Sequence, residues 1–376
     1  MQLSNKQKRL WAEIDLDAID YNFSVMPKPI CCVVKANAYG HGSIQLAKEY
    51  EKLGADYLAV SNIEEAIQIR NSGVHVPILV LGYTPPTCAC DLEKYSITQC
   101  VYSFDYALEL SNECVKQNKN IKCHLKIDTG MGRIGFQFHD GVDELKEAFD
   151  ASLLPGFYFE GIFTHFAIAD EQQDDGFTNK QANYFLEAIE TLENLGLHFK
   201  IKHCSNSAAV LKYPELRFDM VRAGIALYGI NPLPESSFVL KPALSLWSVV
   251  SNVKTIRKGD SISYGRSFVA KKDLKVATIP LGYADGFWRS NFGRNVYING
   301  KYCQIIGKIC MDQIMVACDD AKIGDLVEVY GPHIPICDVA CYNNSISYEV
   351  LCSIGERVPR VYKSNGKIVE VLDKLC

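Results

Sequence analysis

The chain has 376 residues, of which 48% are apolar and 22% charged, with a formal net charge of −5. This length and apolar content predict a large buried core in one big domain plus a smaller one. The charges are mixed in sign and slightly acidic overall, so no electrostatic attraction to nucleic acid or to an anionic membrane is expected. Small ligands are the expected partners.

The sequence carries no sign of membrane insertion, secretion or metal binding. It contains no stretch of eighteen uninterrupted apolar residues, and residues 1–9 lack the apolar core of a signal peptide. We therefore expect a cytoplasmic protein, with the soluble part of a membrane-anchored protein as the alternative. The 15 cysteines are an odd number without C-x-x-C spacing, which predicts reduced, mostly buried thiols and neither a disulfide framework nor a zinc site.

From Ile30 to residue 222, short β-rich runs alternate with helical patterns. The predicted strands are 30–35, 56–61, 77–82, 97–102, 122–127, 159–165, 199–204 and 218–222. The clearest helix is 178–195, with Thr178 as its N-cap and Gly196 as its stop. Eight strand–helix units predict an α/β fold of the (β/α)8 TIM barrel type, and a doubly wound open sheet is the alternative.

Polar side chains follow the C-terminal ends of these strands, where functional groups gather in a barrel. Lys35 ends the first strand, and a lone lysine there is more often only solvated. A chance arrangement is unlikely, because the ends of the first, fifth, sixth, seventh and eighth strands also carry Tyr39, Lys126, Asp128, Arg133, His165, Asn206, Ser207, Arg222 and Gly224. Loops after strands seven and eight often bind phosphate, so Ser207, Gly224 and Ile225 form a predicted phosphate cradle. An amine and a phosphate cradle together suggest a phosphorylated aldehyde cofactor.

After Pro232 the pattern changes to short β runs that continue to Tyr330. We predict a barrel domain at 10–235 and a β-rich C-terminal domain at 236–376, with residues 1–9 as a candidate addition to the second. Two motifs hold polar groups in this region, Ser263-Tyr264-Gly265 and Cys310-Met311-Asp312-Gln313. A tyrosine before glycine is usually a packing residue at a strand end, so Tyr264 has no assigned role from these residues alone.

Six ordered blocks of the chain resemble those of the bacterial alanine racemases. The blocks are 35–42, 130–135, 164–167, 206–209, 263–265 and 310–313. The resemblance implies a barrel that binds pyridoxal 5'-phosphate (PLP), a mostly β C-terminal domain, and a homodimer with shared active sites. It also implies racemisation of an amino acid, L-alanine to D-alanine and back, which supplies D-amino acid for peptidoglycan.

The resemblance also implies roles for individual residues. Lys35, the PLP anchor, and Tyr264 of the partner subunit are the two acid/base groups that flank the substrate. The implied cofactor contacts are Lys35, Tyr39, His165, Asn206, Ser207, Arg222, Gly224 and Ile225. Substrate contacts are Arg133, Met311 and Asp312, and Lys126 matches a position that is carbamylated in some members. Entrance positions are Asp170, Tyr283, Arg289 and Glu356.

Glu356 departs from the family pattern, in which many members carry a tyrosine that is bonded to the phosphate. A carboxylate would repel a phosphate dianion, so we expect Glu356 to turn toward Arg357 or solvent. Losing the ring leaves a roomier, more polar gate that tolerates a serine side chain. A serine racemase of the vancomycin-resistance type is therefore the alternative, and the remote ones are a non-catalytic PLP carrier and a barrel amino-acid decarboxylase.

Overall fold

The computed structural model describes residues 8–139, 142–233 and 238–375. The chain divides into two compact units. The barrel unit comprises Tyr21–Ala38 and Gly42–Leu240, and the β unit comprises the residues up to Asp20, Tyr39–His41 and the chain from Lys241 onward. The predicted domain boundary between residues 235 and 236 lies outside the described residues, so that division stays a prediction.

The barrel unit contains eight parallel strands and one short additional strand. Strand β1, Leu10–Asp15, precedes them and belongs to the sheet of the β unit. The strands that follow are β2 Ile30–Val33, β3 Tyr57–Val60, β4 Ile78–Val80, β5 Ile97–Val101, β6 Ile121–Asp128, β7 Phe136–Gln137, β8 Phe157–Phe163, β9 Ile201–His203 and β10 Val221–Ala223. All eight predicted strands are thereby confirmed, with ends that differ by a few residues.

These strands form a nearly closed barrel with the order β10-β2-β3-β4-β5-β6-β8-β9. Between its two ends, the Asp219 N–H donates to the Lys202 carbonyl at 3.0 Å and the Arg222 N–H donates to the Ser205 carbonyl at 3.1 Å. Closure confirms the predicted (β/α)8 barrel and excludes the doubly wound alternative. Most strand residues are buried, because a parallel sheet of this kind is covered on both faces.

Helices precede or connect the barrel strands. They are Leu16–Ser24, Ser43–Lys52, Ile63–Asn71, Ala89–Lys94, Phe104–Gln117, Lys146–Ser152, Phe177–Asn194 and Ser207–Lys212, with 3-10 turns at Pro86–Cys88, Val142–Leu145, Pro214–Leu216 and Ile225–Tyr228. The prediction of Thr178 as N-cap is wrong, because Gly176 holds that position. The Asp174 carboxylate accepts the N–H groups of Gly176 and Thr178 instead. Gly196 follows the helix with φ +96°, as expected of its stop.

The β unit is built on a ten-stranded sheet with the order β12-β15-β18-β17-β16-β19-β11-β1-β20-β21. Besides β1, the β unit contains the strands β11 Leu244–Val249, β12 Asn252–Ile256, β13 Ser261–Ile262, β14 Phe268–Val269, β15 Leu274–Ile279, β16 Asn295–Ile298, β17 Lys301–Ile306, β18 Ile314–Ala317, β19 Leu326–Tyr330, β20 Arg360–Ser364 and β21 Lys367–Leu372. Strands β13 and β14 pair only with each other. Helices Ile336–Tyr342 and Ser347–Cys352 and 3-10 turns at Tyr264–Arg266, Tyr283–Asp285 and Arg289–Asn291 complete it.

The predicted turn at Asn299-Gly300 joins β16 to β17, and both residues have positive φ, as a tight hairpin turn requires. The predicted mostly β C-terminal region is confirmed. Five of its strands had no predicted counterpart: β1, β13, β14, β20 and β21. No helix among the described residues is long and apolar enough to cross a membrane.

Candidate active site

Lys35 lies just after the end of β2, directly before an unusual turn. The four residues after it, Ala36–Tyr39, have φ values between 51° and 53°, in the left-handed region. This backbone costs about 1–2 kcal/mol per non-glycine residue, so other contacts must hold it. The Glu65 carboxylate accepts the N–H of Ala36 at 2.7 Å and the N–H of Ser61 at 2.8 Å. Glu65 thereby ties the lysine turn to the end of the neighbouring strand, β3.

Tyr39 is the last residue of the left-handed turn. Its ring is buried and lies 5.9 Å, centroid to centroid, from the ring of Tyr348 within the β unit. Burial raises the pKa of the Tyr39 phenol far above its usual value, so the hydroxyl keeps its proton. A protonated phenol can donate a hydrogen bond to an anion, which suits the role in phosphate binding that the sequence predicted for Tyr39.

Arg222, on β10, is buried beneath the C-terminal ends of the strands. Its Nη1 donates to His203 Nδ1 at 2.9 Å and to the His203 carbonyl at 3.1 Å. Its Nη2 reaches the Thr164 carbonyl at 2.7 Å, the Cys204 carbonyl at 2.9 Å and His165 Nδ1 at 3.3 Å. The remaining donor, Nε–H, has no acceptor among the described residues, so it is available to a ligand.

His165 follows β8 and stands next to Arg222. A guanidinium only donates hydrogen bonds, so His165 Nδ1 accepts and the neutral ring carries its proton on Nε2. Burial lowers the pKa of His165 well below its usual value, and the charges of Arg222, Arg133, Lys126 and Lys35 lower it further. The neutral imidazole of His165 therefore senses the positive charge of these four side chains.

Lys126 and Asp128, both on β6, have different environments. Burial lowers the pKa of Lys126 to about 8, and its Nζ donates to the Ile127 carbonyl at 2.7 Å. The Asp128 carboxylate accepts the backbone N–H groups of Gly130, Gly132 and Arg133 at 2.9–3.1 Å. Asp128 thus shapes the glycine-rich loop that presents Arg133, whose side chain is exposed.

The predicted phosphate cradle lies at the ends of β9 and β10. Ser207 Oγ accepts the N–H of Gly224 at 2.9 Å and the N–H of Ala226 at 3.4 Å. The Ile225 N–H begins a 3-10 turn and donates to none of the described residues. Asn206 caps the helix Ser207–Lys212, with its Oδ1 accepting the Ala209 N–H at 3.0 Å. The structure thus brings Ser207, Gly224 and Ile225 together and gives Asn206 a structural task as well.

Gln181 was missed by the sequence reasoning. It is buried on helix Phe177–Asn194, where its Nε2 donates to the His165 carbonyl at 3.1 Å and its Oε1 accepts the Ala167 N–H at 2.9 Å. Nε2 also lies 3.4 Å from Thr129 Oγ1. The signal was present, because a single amide interrupts the apolar stripe of that helix. Gln181 therefore holds the loops after β6 and β8 in place.

In the β unit, Tyr264 lies on a wall of a cavity of about 480 Å³ and is 72% exposed. The preceding residue, Ser263, has φ +68°, and its Oγ donates to the Lys308 carbonyl at 2.7 Å. This anchored backbone directs Tyr264 toward the cavity. Other residues that line the cavity are Lys254, Cys310, Met311, Asp312 and Gln313. The structure thus brings Tyr264, Met311 and Asp312 together.

The loop that holds Met311 is packed closely against Gly282. A Cβ added to Gly282 would lie 2.2 Å from the Met311 carbonyl oxygen, so only glycine fits there. That carbonyl accepts the Ala284 N–H at 3.0 Å, whereas the Met311 N–H has no acceptor among the described residues. The Asp312 carboxylate accepts a hydrogen bond from Arg357 Nη2 at 2.7 Å. Met311 therefore offers a donor to a ligand, while Asp312 is engaged with Arg357.

The entrance candidates are all exposed: Tyr283, Arg289 and Glu356 in the β unit, and Asp170 in the barrel unit. The Glu356 side chain is 81% exposed and pairs with Lys374 Nζ at 2.6 Å. The side chain lies toward solvent, one of the two expected directions, and its partner is Lys374 and not Arg357. Arg357 bonds Asp285 and Asp312 instead.

Two family models match the chain: alanine racemase, N-terminal domain, over residues 14–232, and alanine racemase, C-terminal domain, over residues 243–362. The chain belongs to the alanine racemase family. An alanine racemase of Clostridium tetani is 42% identical over 380 residues, covering 96% of this chain and 97% of the relative.

Solved structures of the alanine racemase family agree with this assignment. An alanine racemase of Clostridium difficile 630 superimposes with a TM-score of 0.93 at 39% identity, covering 99% of this chain and 100% of the other. An alanine racemase of Bartonella henselae with covalently bound pyridoxal phosphate gives a TM-score of 0.84 at 30% identity, covering 95% of this chain and 100% of the other.

The residues of this family member fit a PLP group. A ring nitrogen of the cofactor could accept a hydrogen bond from the unused Nε–H of Arg222. Its phosphate could accept one from the unused N–H of Ile225, beside the Ser207 hydroxyl. Lys35 supplies a primary amine, which forms a covalent bond with an aldehyde of this kind. The Arg222 donor, the phosphate cradle and the Lys35 amine all belong to the barrel unit.

Proposed function

We propose that the protein is a PLP-dependent racemase that interconverts L- and D-alanine and supplies D-alanine for peptidoglycan in the cytoplasm. One observation carries the proposal. Lys35 and the unused donors of Arg222 and Ile225 occupy the same end of a barrel whose chain resembles alanine racemases over nearly its full length. PLP, when bound, withdraws electrons from the substrate and weakens its Cα–H bond.

The remaining chemistry belongs to residues of the chain. Racemisation removes a proton from one face of Cα and delivers one to the opposite face, so it needs two acid/base groups. The Lys35 amine serves one face, and the phenol of Tyr264 from the partner subunit serves the other. Family resemblance and the 72% exposure of Tyr264 support this arrangement, since an exposed side chain can reach a second copy of the chain.

Two contacts would hold the substrate carboxylate. The exposed Arg133 guanidinium offers a charged donor, and the Met311 N–H offers a neutral one. Asp312 supports that loop through Arg357. Tyr39, His165, Asn206, Ser207, Gly224 and Ile225 would surround the cofactor, while Asp170, Tyr283, Arg289 and Glu356 would line the entrance.

The alternatives are less well supported. The relatives and structures described above are alanine racemases, which disfavours the serine racemase alternative. A non-catalytic PLP carrier lacks the C-terminal domain that this chain contains. A barrel decarboxylase is disfavoured because both family models that match are those of alanine racemase.

Removing each base separately tests the two-base proposal. We expect Lys35→Ala to abolish the visible absorption band of covalently bound PLP. Tyr264→Phe should keep the band and lower kcat for L-alanine racemisation by roughly 10²- to 10⁴-fold, because one proton acceptor is lost. Tyr158→Phe, which alters another exposed tyrosine, is the matched control and should retain most activity. Full activity of Tyr264→Phe would contradict the role of the phenol.

The effect of Glu356 on substrate choice at the entrance is tested by replacing it with tyrosine, the residue that many family members carry at this position. In Glu356→Tyr, the ratio of kcat/KM for L-alanine to that for L-serine should rise by roughly tenfold, since a ring narrows the gate against the larger side chain. Lys374→Met removes the ion pair without adding a ring and should leave the ratio unchanged. An unchanged ratio in Glu356→Tyr would exclude this residue from substrate selection.

Lys126 is our candidate for carbamylation. Its neutral amine attacks the carbon of CO₂ and releases a proton, giving a carbamate that could pair with Arg133. With a pKa of about 8, the neutral fraction is about one-hundredth at pH 6 and about half at pH 8. A ¹³C NMR carbamate signal under ¹³CO₂ should therefore grow from pH 6 to pH 8. It should vanish in Lys126→Ala and persist in Lys122→Ala. A signal that survives Lys126→Ala would refute the assignment.

A further inference from the structure

Three consecutive backbone carbonyls, those of Tyr39, Gly40 and His41, each accept a hydrogen bond from a side chain. His41 Nδ1 lies 3.0 Å from the Tyr39 carbonyl oxygen. Arg360 Nε donates to the Gly40 carbonyl at 3.1 Å, and the Tyr362 hydroxyl donates to the His41 carbonyl at 2.8 Å. All five residues belong to the β unit. The backbone that carries the Tyr39 phenol is therefore bonded on three sides within that unit.

All three donors keep the protons that these hydrogen bonds require. A carbonyl oxygen can only accept, so the His41 ring carries a proton on Nδ1. Burial raises the pKa of the Tyr362 phenol, so its hydroxyl is protonated near neutral pH. Burial lowers the pKa of Arg360, but a guanidinium stays charged in a protein. The direction of each hydrogen bond is therefore fixed.

The Arg360 guanidinium is buried and bridges Gly40 to the loop before β20. Its Nη1 donates to the carbonyls of Gly355 and Val358, both at 2.7 Å. Its Nη2 donates to the Ile354 carbonyl at 2.9 Å. A lysine in this position has a single nitrogen and cannot reproduce the fork of donors that spans these carbonyls.

The backbone at Gly40 is also packed closely against the helix Ser347–Cys352. A Cβ added to Gly40, which has φ +82°, would lie 2.2 Å from the Leu351 carbonyl oxygen, so only glycine fits there. Tyr39, directly before it, has φ 51°, which is unfavourable for a residue other than glycine. Contacts from outside the turn are needed to keep Tyr39 in this conformation, and the bonded carbonyls provide them.

We propose that Arg360 and Tyr362 are positioning residues that hold the Tyr39 phenol in place for the phosphate of the cofactor. The inference rests on the proposed function, because it takes Tyr39 as a phosphate contact. Arg360 and Tyr362 fix the carbonyls of Gly40 and His41, and His41 in turn donates to the carbonyl of Tyr39. The phenol is thereby ordered before the ligand binds. Without either donor, binding must also order this backbone, so the affinity for the phosphate falls.

The test compares PLP with pyridoxal, which has the same ring and aldehyde but lacks the phosphate. Full-length protein is freed of cofactor and titrated with each compound, and the Kd values are read from the visible absorption band. In Tyr362→Phe, the Kd for PLP should rise roughly three- to tenfold, as expected for the loss of one buried hydrogen bond. The Kd for pyridoxal should change less than about twofold, because pyridoxal offers Tyr39 no phosphate.

Hydrogen exchange in the holoenzyme gives a second readout on the turn itself. The Gly42 N–H donates to the Asn37 carbonyl at 2.9 Å and the Ser43 N–H donates to Asn37 Oδ1 at 3.0 Å, so both amides should exchange slowly. In Tyr362→Phe, a peptide covering residues 36–43 should exchange roughly three- to tenfold faster, while other peptides of the β unit keep wild-type rates. Arg360→Lys should change both readouts in the same direction and more strongly. If Arg360→Lys does not fold, Tyr362→Phe decides alone.

Tyr330→Phe is the matched control for general stability. Tyr330, on β19, is another buried tyrosine of the β unit, and its hydroxyl has no acceptor among the described residues. Its loss should leave the PLP affinity and the exchange of residues 36–43 unchanged. A wild-type Kd for PLP in Tyr362→Phe, an equal rise for PLP and pyridoxal, or the same rise in Tyr330→Phe would overturn the proposal. Wild-type protein that binds PLP without racemising alanine would overturn the proposed function and leave this inference standing.

Discussion

The candidate active site depends on how the buried Arg222 guanidinium is satisfied. Its two terminal nitrogens donate to three carbonyls and two imidazoles, which leaves Nε–H as the donor for a ligand. Because a guanidinium does not release its proton, it makes both neighbouring rings acceptors and keeps them neutral. An arginine in this position would also leave unprotonated a ligand nitrogen that accepts its Nε–H. One buried cation thus sets the protonation of His165 and His203 and the character of the ligand site.

Much of the barrel and its functional end could be predicted from the sequence. The eight strands are short apolar runs separated by helical patterns, so local sequence carries the signal for them. Closure of the barrel then follows from their number, and it places Lys35, Lys126, His165 and Arg222 at one end. Strand β1 was missed for a physical reason. It pairs with β11 and β20, which lie more than 200 residues away along the chain. A local sequence pattern cannot predict such distant pairing partners.

The contacts that tune the site were beyond the reach of sequence patterns. The left-handed turn after Lys35 contains alanine, asparagine and tyrosine, and Glu65, on helix Ile63–Asn71, ties it to β3 by accepting the N–H groups of Ala36 and Ser61. His124 and His203 look like ordinary strand residues, and only the fold brings them within 2.9 Å across 79 positions. Thr178 resembled a helix cap, but Asp174 takes that task from four residues upstream. Each case depends on a partner that is chosen by tertiary structure.

The central claim is that a complete active site combines Lys35 of one subunit with Tyr264 of the partner subunit. Mixing the inactive variants Lys35→Ala and Tyr264→Phe, then allowing subunits to exchange, tests it most directly. Half of the resulting dimers are hybrids, and each hybrid holds one intact site of two, so an equal mixture should regain about a quarter of the wild-type racemase activity. If the mixture stays as inactive as its components although hybrids form, the two bases do not meet across subunits.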